Sequence, residues 1–265
     1  MRALFLIIIL LYGSTAAGQQ LKSITNSIGM KLVLIHAGSF AMGSQIGTPG
    51  RSEAESLHEV TISNSYYIGA CEVTQEHYEG VVGHNPSRFR GRQLPVEMVN
   101  WLDAISFCKK LSELPEENAA GREYRLPTES EWEYSCRARS GAAYSFGDAA
   151  ELLGDYSWFD GNAERQTHPV GQKRANRWGL YDMHGNVCEW CQDWYEFYPS
   201  IKEIDPTGPI GGSLRVRRGG SWRHDAKFCG AAYRYASEPQ SRSPDCGFRV
   251  ALSRIVNQPT EKNYK

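Results

Sequence analysis

The sequence predicts an α+β domain in which regular secondary structure is scarce, and three observations carry that prediction. Glycine (26) and proline (12) make about one residue in seven a turn former across the 265 positions. Helix signals are confined to residues 74–136. From Gly141 onward helical periodicity disappears while Gly, Asn, Asp and Trp become dense, so residues 141–252 read as loops pinned by brief strands. Hydrophobic residues at 41% and charged residues at 22%, with 7 Trp, 14 Tyr and 9 Phe, describe a packed chain and exclude a disordered one. No linker and no repeat of fixed period divides it.

Taken in order, the chain opens with Met1-Arg2, an apolar run from Ala3 to Tyr12, and the small residues Ser14 to Gly18. This is the pattern of a secretory signal peptide over residues 1–18, leaving one domain over 19–265. Ten apolar residues are too few for a bilayer core that needs about 20, so the mature chain is expected to be secreted or periplasmic and free of the membrane. Lys31 to Ile35 and Thr61 to Ile68 read as strands. Thr74 caps a first helix with Val73 stapled onto Tyr78. A second helix follows Asn100, with Ala104, Phe107, Cys108, Leu111 and Leu114 on one face and Pro115 ending it. The capping box from Thr128 to Glu131 starts a third, ahead of Trp132 and Cys136. Seven Trp, spread evenly, are candidate anchors for the loops.

Charge and cysteine usage bound the chemistry. Lys plus Arg at 29 against Asp plus Glu at 30 leaves a net charge of -1, which removes the electrostatic case for nucleic acid. Seven cysteines is an odd number, so at least one thiol stays unpaired, binds a metal or pairs with another chain. Cys188 and Cys191 have Cys-x-x-Cys spacing with His184 four residues before. A redox dithiol or zinc site there is weighed against core thiols, because a strand would point the two cysteines to opposite faces. No phosphate loop of the Gly-Lys-Ser/Thr type and no Gly-x-Ser-x-Gly elbow is present.

Five stretches together resemble one family: Gly29 to Ile35 running to Gly38 to Ser44; Glu72 to Gln75 with Asn85 to Ser87 and Pro95 to Glu97; Tyr124 to Tyr134; Gly179 to Val187; and Arg218 to Trp222 with the closing Gly247 to Ala251. The chain resembles the sulfatase-modifying factors, whose founding members are formylglycine-generating enzymes, over about residues 26–253. The resemblance implies the formylglycine-generating-enzyme fold, a C-type-lectin-like variant. It also implies an oxidase that converts a sulfatase cysteine to formylglycine with oxygen and copper(I) held by two cysteines, in the third and eighth positions after the Ser of Arg-Gly-Gly-Ser. Here the eighth is Cys229 and the third is His224. An imidazole in place of one thiolate would hold soft copper(I) less tightly and would remove a thiol from thiol-disulfide exchange.

By the same resemblance a structural calcium would be held by the side chains of Asp182 and Glu189 and the carbonyls of Gly185 and Val187, hard oxygens in a glycine-containing turn. Cys136 would be a half-cystine whose usual partner position holds Val250 here, making Cys246 the nearest replacement. The iron-dependent branch is disfavoured because His77 and His84 are too widely spaced for its His-x-x-x-His-x-Glu helix.

The expectation is an exported family member, weak or inactive as an oxidase, with the enzyme assignment left open. The alternative is a lectin-like module whose groove, lined by Ser221, Trp222, His224, Arg234 and Tyr235, binds a peptide, a glycan or a partner enzyme such as a sulfatase.

Overall fold

The computed structural model describes residues 22–48 and 51–253; the segment read as a signal peptide lies outside them. Strands β1 (Ser23–Thr25), β2 (Lys31–Ile35), β3 (Gly38–Met42), β4 (His58–Ile62) and β5 (Tyr66–Gly69) come first. Then follow α1 (Gln75–Val82), α2 (Trp101–Ser112), α3 (Pro115–Ala119), β6 (Tyr124–Arg125), α4 (Glu129–Arg137) and the one-turn α5 (Leu153–Tyr156). The remainder carries β7 (Cys188–Trp194), β8 (Glu203–Ile204), β9 (Arg215–Arg218), a 3-10 turn (Ala226–Phe228), β10 (Arg234–Ser237), β11 (Cys246–Gly247) and β12 (Ala251–Leu252).

Three sheets result, ordered β1-β2-β5-β12-β6, β10-β9-β7-β11 and β3-β4-β8. The β11–β7 and β4–β8 pairs are parallel and the others antiparallel. The closing strand β12 inserts between β5 and β6, so the last described residues complete the sheet begun by the first.

The run expected as one strand over Thr61 to Ile68 is two. Ser63, Asn64 and Ser65 are exposed and form a corner at which the chain passes from one sheet to another. Asp205 holds the corner by accepting the Ser63 N–H at 2.8 Å. The helix starts follow their signals: Thr74 accepts the His77 N–H at 3.3 Å, and both Asn100 with Asp103 and Thr128 with Glu131 form reciprocal capping boxes. Val73 and Tyr78 meet in the core cluster centred on Phe107 and Phe248. Pro115 does not merely stop α2. It occupies the first turn of α3, where its missing N–H is no loss.

Every residue of α4 is buried, although the helix carries Glu129, Glu131, Glu133 and Arg137. Arginines from distant strands and from the helix's own last turn make this possible. Arg218, fully buried at the end of β9, pairs with Glu133 and with Glu129, the latter at 3.2 Å, and donates to the carbonyls of Ala231 and Ala232. Arg234 grips both Glu129 oxygens at 2.7 Å. Arg137 binds Glu133 at 2.8 Å and donates to the Gly43 and Ala142 carbonyls. Burial by itself pushes the Glu129 carboxyl up, but the charges of Arg234 and Arg218 outweigh it and hold the group below the usual carboxylate range.

Trp132 of α4 donates its indole N–H to Glu189 at 2.8 Å. Arg249 holds both oxygens of the same Glu189 at 2.6 Å. Thus ion pairs between residues far apart in sequence tie α4 to β9 and β10, and the Glu189 carboxylate of β7 to the segment between β11 and β12.

A buried carboxylate shared by two guanidinium groups is strongly destabilising to remove, because Arg137 loses its carboxylate and Arg218 keeps only Glu129. Glu133→Ala is expected to lower unfolding free energy by about 3–5 kcal/mol, measured by urea denaturation at neutral pH. A loss below about 1 kcal/mol would show that the pairing is incidental.

Candidate functional site

The Arg-Gly-Gly-Ser turn leaves β9 with Gly219 at φ +96° and Gly220 at φ +72°, left-handed conformations that a side chain would strain. Space excludes one as well: a Cβ on Gly220 would lie 2.5 Å from the Cys229 sulfur, and one on Gly219 would lie 3.0 Å from the Trp132 ring. The motif is therefore a close approach of backbone to Cys229 and to α4.

Beyond it, Ser221 and Trp222 are buried and Asp245 organises the turn. Arg223 donates to Asp245 Oδ2 at 2.8 Å, Ser221 Oγ donates to it at 3.3 Å, and Ser243 binds Oδ1. The His224 imidazole faces the same group, with Nδ1 2.8 Å from Ser221 Oγ and Nε2 4.0 Å from Asp245 Oδ2, and its ring lies against Tyr235 at 4.8 Å. Burial lowers the His224 pKa, with Asp245 opposing. Trp222 donates its indole N–H to the Pro244 carbonyl at 3.0 Å and meets Phe89 edge to face.

Cys229 borders the same turn. Its sulfur is fully buried, approaching the Asp225 and His224 carbonyls at 3.6 and 4.0 Å, and burial pushes its thiol up to about 12. Behind it His184 is held neutral. Nε2 accepts the Ser145 N–H, so Nδ1 carries the hydrogen and donates to the Cys229 carbonyl at 2.9 Å, and burial pushes its pKa down to about 4. The copper pair does not fit as formed: the imidazole of His224 is engaged by Ser221 beside Asp245, while the thiol of Cys229 is protonated and closed in by Gly220.

Of the expected groove, the structure brings together Ser221, Trp222, His224 and Tyr235, but not Arg234. Arg234 and Tyr235 are successive residues of β10 and so point to opposite faces. Arg234 is buried against Glu129, Tyr195 and Tyr198.

The calcium set keeps Asp182 and Glu189 within electrostatic reach of each other and of Glu72. Glu189 Oε2 accepts from Arg249 and Trp132 and Oε1 accepts from Arg249, so three of its four lone-pair sites are already used within the protein. Asp182, at φ +58°, accepts the Gly171 N–H through Oδ2 at 2.7 Å, and its buried Oδ1 has no hydrogen-bond partner. The carboxylate nearby is Glu72, bound by Asn186 and the Val187 N–H at 3.4 Å. Among the described residues no three His, Cys, Asp or Glu side chains converge as a metal site.

Cys188 and Cys191 fall into different core clusters, as opposite strand faces require, and His184 faces Cys136 and Ser145 instead of either. Cys136 therefore lies apart from Cys246, which packs in the other cluster.

Two features escape the sequence. Asp245, which draws Ser221, Arg223 and His224 together, has only its place beside the closing motif to mark it. A cleft of about 830 Å³ opens on the far side of the Cys229 loop, lined by Phe40, Tyr134, Arg139, Lys227, Gly230 and Tyr233.

Sparse helices on mixed sheets, with buried arginines and a glycine turn packed on α4, define a C-type-lectin-like α+β protein of the formylglycine-generating-enzyme type. The chain belongs to the sulfatase-modifying factor family: residues 19–254 match the model of the sulfatase-modifying factor enzyme 1-like domain. The chaperone protein LppX of Paenibacillus barcinonensis is 31% identical, over 95% of this chain and 98% of that one. The formylglycine-generating enzyme of Streptomyces coelicolor is 36% identical over 59% of this chain, and the match spans about half (52%) of that enzyme. Among solved structures, Treponema denticola variable protein 1 superposes with a TM-score of 0.79 at 32% identity, covering 88% of this chain and 99% of that one.

Asp182 supplies a pH test. Burial raises its pKa to about 6 from 3.8. A carboxyl with a higher pKa folded than unfolded adds stability that is full below the unfolded value and is lost as pH rises through the folded one. In chelator-treated protein, Asp182→Asn is expected to gain on the order of 2 kcal/mol relative to wild type between pH 4 and pH 7, read from urea unfolding at both. Parallel pH profiles would contradict the placement.

Proposed function

We propose that this chain is a non-catalytic member of the family, an exported module that holds a protein partner and does not oxidise one. The observation that carries the reading is how the two positions a copper oxidase needs are engaged. His224 is spent on Ser221 beside Asp245, and the Cys229 sulfur is sealed behind Gly220. Copper(I) chemistry through thiolates needs both ligands deprotonated and convergent. Similarity to a chaperone protein along nearly the whole of both chains supports association as the activity.

Export rests on the N-terminal sequence. Among the described residues no helix is long and apolar enough to cross a membrane. The partner-facing surface we assign is the cleft with Arg139, Lys227 and Tyr233, whose lining of Arg137, Arg139 and Lys227 together with Glu55 and Asp148 would suit a polar peptide segment. Calcium is no part of this reading, since Glu189 is committed to Arg249.

The formylglycine-generating relatives supply the competing reading, with Cys229 as the surviving thiolate. Incubating the purified protein and copper(I) with a peptide containing Cys-x-Pro-x-Arg, and following aldehyde by mass spectrometry, separates the two. No aldehyde is expected. An exported sulfatase mixed with the protein is expected to co-elute with it on size exclusion, equally for wild type and Cys229→Ser and at least ten times more weakly for Lys227→Glu combined with Arg139→Glu. Aldehyde that vanishes in Cys229→Ser would overturn the proposal.

A further inference from the structure

Two of the cysteines face each other across a parallel strand pair. Cys246 of β11 is the direct register partner of Cys188 of β7. Opposed residues on neighbouring strands project to the same side of the sheet with Cα atoms roughly 4.8 Å apart, inside the roughly 4.4–6.8 Å range that a disulfide bridges. Both side chains are buried in the same core cluster and their thiols interact directly. Arg217 of β9 reaches the pair, its Nη1 lying 3.7 Å from the Cys188 sulfur and its guanidinium also interacting with Cys246. The segment they would join is already aligned: Cys188 donates its backbone N–H to the Asp245 carbonyl at 2.8 Å, with its sulfur 3.1 Å from the same oxygen.

We propose that Cys188 and Cys246 form a disulfide that fastens β11 to β7 and fixes Asp245, the neighbour of Cys246, beneath Ser221, Arg223 and His224. The oxidant is a disulfide compound of the glutathione or oxidoreductase class. The thiolate of one cysteine attacks the oxidant's S–S bond and releases one oxidant thiol; the second cysteine displaces the other. Two protein S–H groups become one S–S bond, and the oxidant's S–S bond becomes two S–H groups. The pair is sealed once the chain has folded, so the exchange belongs to the folding chain. It leaves five thiols of the seven, consistent with the odd count. The proposal is independent of the presence or absence of oxidase activity.

The full chain, refolded in oxidised and reduced glutathione, would be alkylated, digested without reduction and sequenced by mass spectrometry. A linkage assigned by fragmentation to Cys188 and Cys246 is expected, retained in Cys191→Ser. Under denaturing titration, Cys188→Ser and Cys246→Ser are each expected to show one more free thiol than wild type despite having one cysteine fewer. Reduction should lower the Tm of wild type by about 5–10 °C. Alkylation of all seven thiols in refolded wild type, or a linkage from either cysteine to any other sulfur, would overturn the proposal, and both readouts on wild type hold even where a variant does not fold.

Discussion

The pairing of Arg218 with Glu133 and Glu129 is the constraint on which the rest of the molecule depends. A helix with three glutamates cannot be buried on every side unless cations come to it, and here they come from β9, β10 and the helix's own last turn. In meeting α4, Arg218 brings the Gly219-Gly220 turn against Trp132 and Cys229, which closes the thiol off. The same logic recurs one layer away. Arg249, from the closing motif, satisfies Glu189 and donates to the carbonyls of Gly69 and Tyr181. Loops too poor in regular structure to be held by backbone ladders are held by guanidinium groups, each offering five donors to carboxylates and carbonyls at once.

Local signals in the sequence identify the helix starts well, because caps and staples involve residues three to five positions apart. Thr74, Asn100 and Thr128 each cap the helix they announce. The turn at Ser63 to Ser65 is not legible from the β-branched run around it, since the partner that stabilises the corner, Asp205, is 142 positions away. The buried ion pairs are hidden for the same reason: Glu129 and Arg234 are separated by 105 positions, Glu189 and Arg249 by 60. Motif resemblance locates these residues without revealing what each one touches. Glu189 thus reads as a cation ligand until its arginine is seen. Arg234 reads as a groove residue until the alternation of β10 places it opposite Tyr235.

On the proposed reading, the family scaffold keeps its shape while the chemistry of this site is given over to binding. The imidazole at position 224 is engaged by Ser221 beside Asp245, and its ring lies against Tyr235. The matching cysteine at 229 is left in a pocket bounded by Gly220, with its carbonyl tied to a neutral His184. Neither residue is idle. Each stabilises the loop that forms one wall of the cleft containing Lys227 and Tyr233.

Competition for copper(I) tests this account most directly. Folded protein would be titrated with a coloured copper(I) chelator complex in the absence of oxygen, with Cys229→Ser in parallel. The account predicts that the chelator keeps its copper at one equivalent of protein and that the two proteins behave alike. Transfer of one equivalent to wild type but not to Cys229→Ser would contradict it, since that requires a thiolate at 229 reachable by a metal.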